Sequence, residues 1–97
     1  KIASAEKVYD VTINSSLQKN IDTKDKKGNP AQFSLRINVD LIIVDKFDKT
    51  LQINFNEKKS YNNKEKKFEL KRYESILIQN MSEKILSDII IFFQNLS

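Results

Sequence analysis

Neither cysteine nor histidine occurs anywhere in the 97 residues, and these two absences remove most ordinary routes to catalysis and metal binding. Without cysteine there is no disulfide, no thiolate nucleophile and no thiolate metal site. Without histidine the commonest metal ligand and the commonest general base are both missing. The chain therefore reads as non-enzymatic, with no cofactor and no metal. Glycine is almost as scarce: the single Gly28 cannot supply the glycines of a phosphate-cradling loop, which excludes P-loop and dinucleotide-binding chemistry. Long apolar runs are missing too. The longest, Ile89 to Phe93, is far too short to span a bilayer, and no basic-apolar-small pattern of a secretory signal opens the chain. An export signal or anchor is expected only upstream of Lys1.

What is present is charge and alternation. A chain of this size buries about 60 to 65% of its unfolded surface, enough for one thin core, so residues 1–97 read as a single domain. In "KVYDVTIN" Tyr9, Val11 and Ile13 alternate with Asp10, Thr12 and Asn14, the period of a strand with one wet face, which predicts a strand over Val8–Asn14. Turn chemistry gathers at Gly28, Asn29 and Pro30. Phe33, Leu35, Ile37, Val39, Leu41 and Ile43 are then apolar at every second position, predicting a long strand over Ala31–Val44. Ile42 and Val44 break its polar side, so the second face is expected to be covered there. After "DKFDKT", alternation through Leu51, Ile53 and Phe55 predicts a third strand over Leu51–Tyr61. Three sequential strands with short connections make an antiparallel meander.

From about Lys66 the period changes to 3.6. Ile78, Met81, Ile85, Ile89, Phe92 and Leu96 form one stripe, extended backwards by Leu70, Tyr73 and Leu77, and predict a helix over Lys66–Asn95. Asn62 and Glu65 have the spacing of a capping box. The fold class is thus α+β, a meander packed by one long C-terminal helix. Leu86, Ile90, Ile91 and Phe93 fall off the stripe and leave the last turns apolar nearly all round. Such a helix wants a second cover, which makes these four residues candidates for docking a partner.

Between residues 56 and 72 there are seven Lys or Arg against three Glu, a surplus equal to the +4 of the whole chain. Lys58, Lys59, Lys64, Lys66, Lys67, Lys71 and Arg72 therefore form the candidate anion-binding set, suited to phosphates on lipid headgroups or nucleic acid. The wealth of Lys, Ile and Asn also fits an AT-rich genome, in which case the lysines are solvated surface. Few aromatics are interleaved with the basic residues, Tyr61 and Phe68 only, which disfavours nucleic acid as a partner. The carboxylate pairs Asp22/Asp25 and Asp45/Asp48 lie in turn-forming segments beside lysines and read as turn residues rather than acid–base catalysts. Arg36 and Asp40, two pleats apart, have the spacing of a surface ion pair.

The order of Asp25, Gly28, Asn29 and Pro30, a long alternating strand, a hairpin, a strand ending in Ser60, Tyr61 and Asn62, then Phe68, Tyr73 and Glu74, then an amphipathic helix to Leu96, resembles the LPS-assembly lipoprotein family LptE in its alphaproteobacterial form. The resemblance covers about Val8 to Leu96. It implies a lipid-anchored protein at the periplasmic face of the outer membrane, with a sheet of about four strands packed by two helices. It also implies a plug-like partnership with an LptD-like outer-membrane β-barrel and weak, electrostatic binding of lipopolysaccharide during its assembly. Against that family the chain lacks the signal, the lipobox cysteine, the first strand and the first helix. It is thus expected to be the C-terminal two-thirds of such a domain. The missing helix, or a second copy of the fragment in a homodimer, would cover Leu86, Ile90, Ile91 and Phe93. The competing expectation is a cytoplasmic α+β nucleic-acid-binding module using the same lysines.

Overall fold

The computed structural model describes residues 9–96 and contains the strands β1 (Asp10–Lys24), β2 (Pro30–Val44) and β3 (Thr50–Asn62), followed by the helix α1 (Lys67–Leu96). The strands pair antiparallel in the order β1-β2-β3, so the architecture is the expected α+β meander with one long C-terminal helix. β2, β3 and α1 fall within one residue of their sequence-predicted limits. β1 does not. It continues ten residues beyond Asn14, to Lys24, while Val8 lies outside the described residues. "SSLQKN" has weak strand propensity, yet its backbone pairs with β2 from Ser15↔Val39 to Asn20↔Ser34. Strand formation here follows from a ready partner edge rather than from local preference. Near its end the register slips around Asp22, between Ile21 and Thr23, a bulge that leaves Asp22 out of the pairing.

Both hairpins turn on the same device. Asp25 Oδ1 accepts the backbone N–H groups of Lys27 and Asn29, each at 2.9 Å. Asp45 Oδ1 accepts those of Phe47 at 2.8 Å and Lys49 at 2.9 Å. An aspartate at the first position thus satisfies two turn donors that no strand can reach. The fourth position of each turn needs a left-handed backbone: Gly28 has φ 87°, which costs glycine nothing, and Asp48 has φ 61°.

The register sorts the sheet into two unlike faces. On one, Phe33, Leu35, Ile37, Val39 and Tyr61 are buried against Leu70, Met81 and Ile85 of the helix, with Phe55, Leu77, Ile78 and Ile89 packed around them. Each fully buried side chain of this kind contributes about 1.5–3 kcal/mol. On the other face the uncharged side chains of Asn38, Asn54 and Asn56 form a ladder. Asn54 Nδ2 donates to Asn38 Oδ1 and Asp40 Oδ1, both at 2.8 Å, and Asn56 Nδ2 donates to Asn54 Oδ1 at 2.9 Å. Asp40 is therefore taken by Asn54, and no ion pair with Arg36 forms among the described residues. Asp22, freed by the bulge, bonds the hydroxyls of Ser34 and Ser60, and Ser34 is 1% exposed beneath it.

The capping box does not form either. Asn62 Oδ1 accepts from Gln32 Nε2 at 3.1 Å, and the first helical bond runs from Leu70 N–H to Lys66 C=O at 3.1 Å. Asn63 instead pins the connection, donating through Nδ2 to Pro30 C=O and accepting from Lys64 N–H. The helix lies over β2 and β3 and not over β1, which is exposed along its whole length. A trough of about 320 Å³ therefore runs beside the helix, lined by Ile13, Ile37, Val39, Ile85, Leu86 and Ile89. The molecule is 63 Å long. The β1–β2 turn and the start of α1 lie at one end, the β2–β3 turn and the start of β1 at the other.

Candidate anion-binding cleft

At the helix-start end the chain makes its densest polar contact. Glu74, on the second turn of α1, accepts the phenolic hydroxyl of Tyr61 from β3 and pairs with Lys19 Nζ of β1 at 2.7 Å. Three elements meet at one carboxylate. Burial alone would push the Glu74 carboxyl up; the bonds from Lys19 and Tyr61 and the nearby Lys71 outweigh it and hold the group below its ordinary value. Burial, reinforced by the negative charge of Glu74, pushes the Tyr61 hydroxyl well above the usual tyrosine range, so it remains a donor at any physiological pH. Lys19 also spans the ring of Phe33, its Nζ 4.3 Å from the centroid.

Beside this junction opens a cleft of about 610 Å³. Phe33, Leu70 and Pro30 form its apolar floor, and Lys19, Lys64, Lys67 and Lys71 stand at its rim with Glu65 and Glu74. Neither Lys67 nor Lys71 makes an ion pair among the described residues. Ammonium groups around an apolar floor suit an anion carried on an apolar body, because the charges meet the head while the floor takes the stem. No metal-holding cluster is present among the described residues.

The seven basic residues singled out in the sequence do not form one patch. Lys64, Lys67 and Lys71 share the cleft. Arg72 lies around the helix, bordering a depression of about 390 Å³ with Lys64, Phe68, Tyr73 and Ile76, where Lys64 Nζ sits 5.0 Å from the Tyr73 ring. Lys66 is exposed just before the helix. Lys58 is on the polar face of the sheet opposite Arg36, and Lys59 lines a separate depression with Glu57, Leu77 and Lys84. Lys19 is not among the sequence candidates. Its signal is present nonetheless, a lone lysine in the apolar register of β1 between Leu17 and Ile21.

Of the docking candidates, Leu86 is 57%, Ile90 49% and Ile91 51% exposed, while Phe93 is half-buried against Phe92. Leu86 overlooks the trough.

No family model matches the chain, and no curated protein matches it in sequence. Among solved structures it is similar to rare lipoprotein B from Shewanella oneidensis, with a TM-score of 0.72 over 94% of this chain and 74% of that one. The fold is LptE-like. At 16% identity the likeness is one of architecture, and it embraces the meander together with the helix laid across it. No helix among the described residues is long and apolar enough to cross a membrane.

Proposed function

We propose that this chain is a non-enzymatic, LptE-like accessory lipoprotein of the outer membrane. On this reading it works at the periplasmic face, beside an LptD-like β-barrel, during lipopolysaccharide assembly. The observation that carries the reading is the cleft: Lys64, Lys67 and Lys71 around the floor of Phe33 and Leu70 match the polarity of a lipid A headgroup, phosphate above and acyl carbon below. The fold shared with rare lipoprotein B supports it. The exposed side of α1 at Leu86, Ile90 and Ile91 is the surface offered to the barrel or to a second copy.

Two measurements test the reading. The full-length gene product, extracted in mild detergent, should co-elute with a large outer-membrane barrel; elution without one refutes the partnership. The chain itself should bind purified lipopolysaccharide, and replacing Lys64, Lys67 and Lys71 with glutamine should weaken that binding. Steeply salt-dependent RNA binding with no lipopolysaccharide binding would favour the nucleic-acid module instead.

A further inference from the structure

The end of the molecule opposite the cleft gathers exposed apolar side chains around one hairpin turn. Phe47, at the tip of the β2–β3 turn, is 73% exposed. At the same end Leu51, Val11 and Tyr9 are also exposed, and on the otherwise polar face of the sheet Ile42 and Val44 are the apolar exceptions. The tip is stiff: Asp45 holds the N–H groups of Phe47 and Lys49 through its side chain, and its backbone bonds Asp48 and Lys49, each at 3.0 Å. An aromatic ring presented by an already ordered turn loses little freedom when it is buried. Lys46 and Lys49 belong to the same turn, with Lys46 Nζ 5.3 Å from the ring centroid. Their stems can lie along an apolar surface while the charges stay in water.

We propose that this hairpin end is a membrane foot that seats Phe47 in the interfacial zone of a lipid bilayer. Lys46 and Lys49 are balanced by Asp45 and Asp48, so attraction to the bilayer is apolar and does not need anionic lipid. β1 begins at this same end, with Asp10 opposite Val44, so on the lipoprotein reading an anchor upstream of β1 would lie on the side of Phe47. The inference rests on the outer-membrane reading for the identity of the bilayer; insertion itself is read separately.

The chain contains no tryptophan, so Phe47→Trp installs a single indole fluorophore at the tip. With phosphatidylcholine vesicles its emission should shift to the blue, resist high salt, and be quenched more by a spin label near the headgroup than by one at the bilayer centre. The control is Phe68→Trp, made at a position 74% exposed at the basic end, whose emission should not shift under the same conditions. In vesicle flotation of the otherwise unaltered chain, titrated with lipid, Phe47→Ser should lower the partition coefficient at least about tenfold. The proposal is overturned by an unshifted emission from F47W, by an equal shift from F68W, or by an F47W shift that needs a protein partner and does not occur with lipid. Lipid burial of the F47W indole without barrel association would sink the preceding reading alone, and the reverse result would sink this one alone.

Discussion

Replacing Glu74 with glutamine keeps the shape of the side chain and removes its charge from the point where β1, β3 and α1 converge. Glu74 is 15% exposed in its side chain and Lys19 43%, so the ion pair between them is partly screened and contributes at most about 1 kcal/mol. The Tyr61 hydroxyl now donates to a neutral amide instead of a carboxylate, a loss of about 1 kcal/mol. Together Glu74→Gln should destabilise the chain by about 1–2 kcal/mol at neutral pH. Glu74→Leu should cost more, because a buried hydroxyl left without an acceptor adds about 1–3 kcal/mol.

The pH profile gives the sharper test. The folded Glu74 carboxyl titrates below its ordinary 4.5. Its stabilisation is therefore complete above that pH and drains away as the pH falls through the folded value. Urea unfolding followed by circular dichroism should show this acid limb in the parent chain and not in Glu74→Gln. If the two acid limbs coincide, or if the substitution stays within the ~0.5 kcal/mol typical of an inert surface change, the account of the junction is wrong.

Tyr61 supplies the mirror image on the alkaline side. Its folded pKa is raised above 10.0, so its contribution is intact below pH 10 and lost as pH rises towards the folded value, a limb that Tyr61→Phe should abolish in alkaline unfolding curves. Replacing Lys64, Lys67 and Lys71 together with glutamine should leave thermal stability within about 1 kcal/mol while lowering lipopolysaccharide affinity in a binding titration; unchanged affinity would mark these lysines as composition rather than site. Asp48→Gly should stabilise by roughly 0.5–1 kcal/mol, because glycine adopts φ 61° without strain, and a lowered melting temperature would contradict the turn geometry. Leu41, 0% exposed, should cost about 2–5 kcal/mol when cut to alanine, read as a shift of the urea midpoint.

The sheet's middle strand and the helix were legible because their apolar spacing is unbroken: Phe33 to Ile43 at every second position, Leu70 to Ile89 along one stripe. The second half of β1 was not, since Ser15, Ser16 and Lys19 interrupt its pattern and only pairing with β2 makes them strand. Tyr61 and Glu74 could each be singled out in the sequence, but thirteen residues and a change of element separate them, and no periodicity announces a bond across that gap. The candidate cleft was visible only as charge density. Which lysines share it depends on where β3 ends and how Asn63 steers the chain into α1, and that steering rests on a side-chain bond to Pro30 far back in the sequence.

β1 is an edge strand, paired with a neighbouring strand on one side only, exposed along its length and tied to α1 by the single Lys19–Glu74 ion pair. Its amide protons facing away from β2 should exchange with deuterium first, and the β1–β2 ladder should open before the ladder under α1 does. The domain thus has an order of disassembly written into its topology: one strand can peel off and return while the greasy centre, held between two other strands and the helix, stays shut.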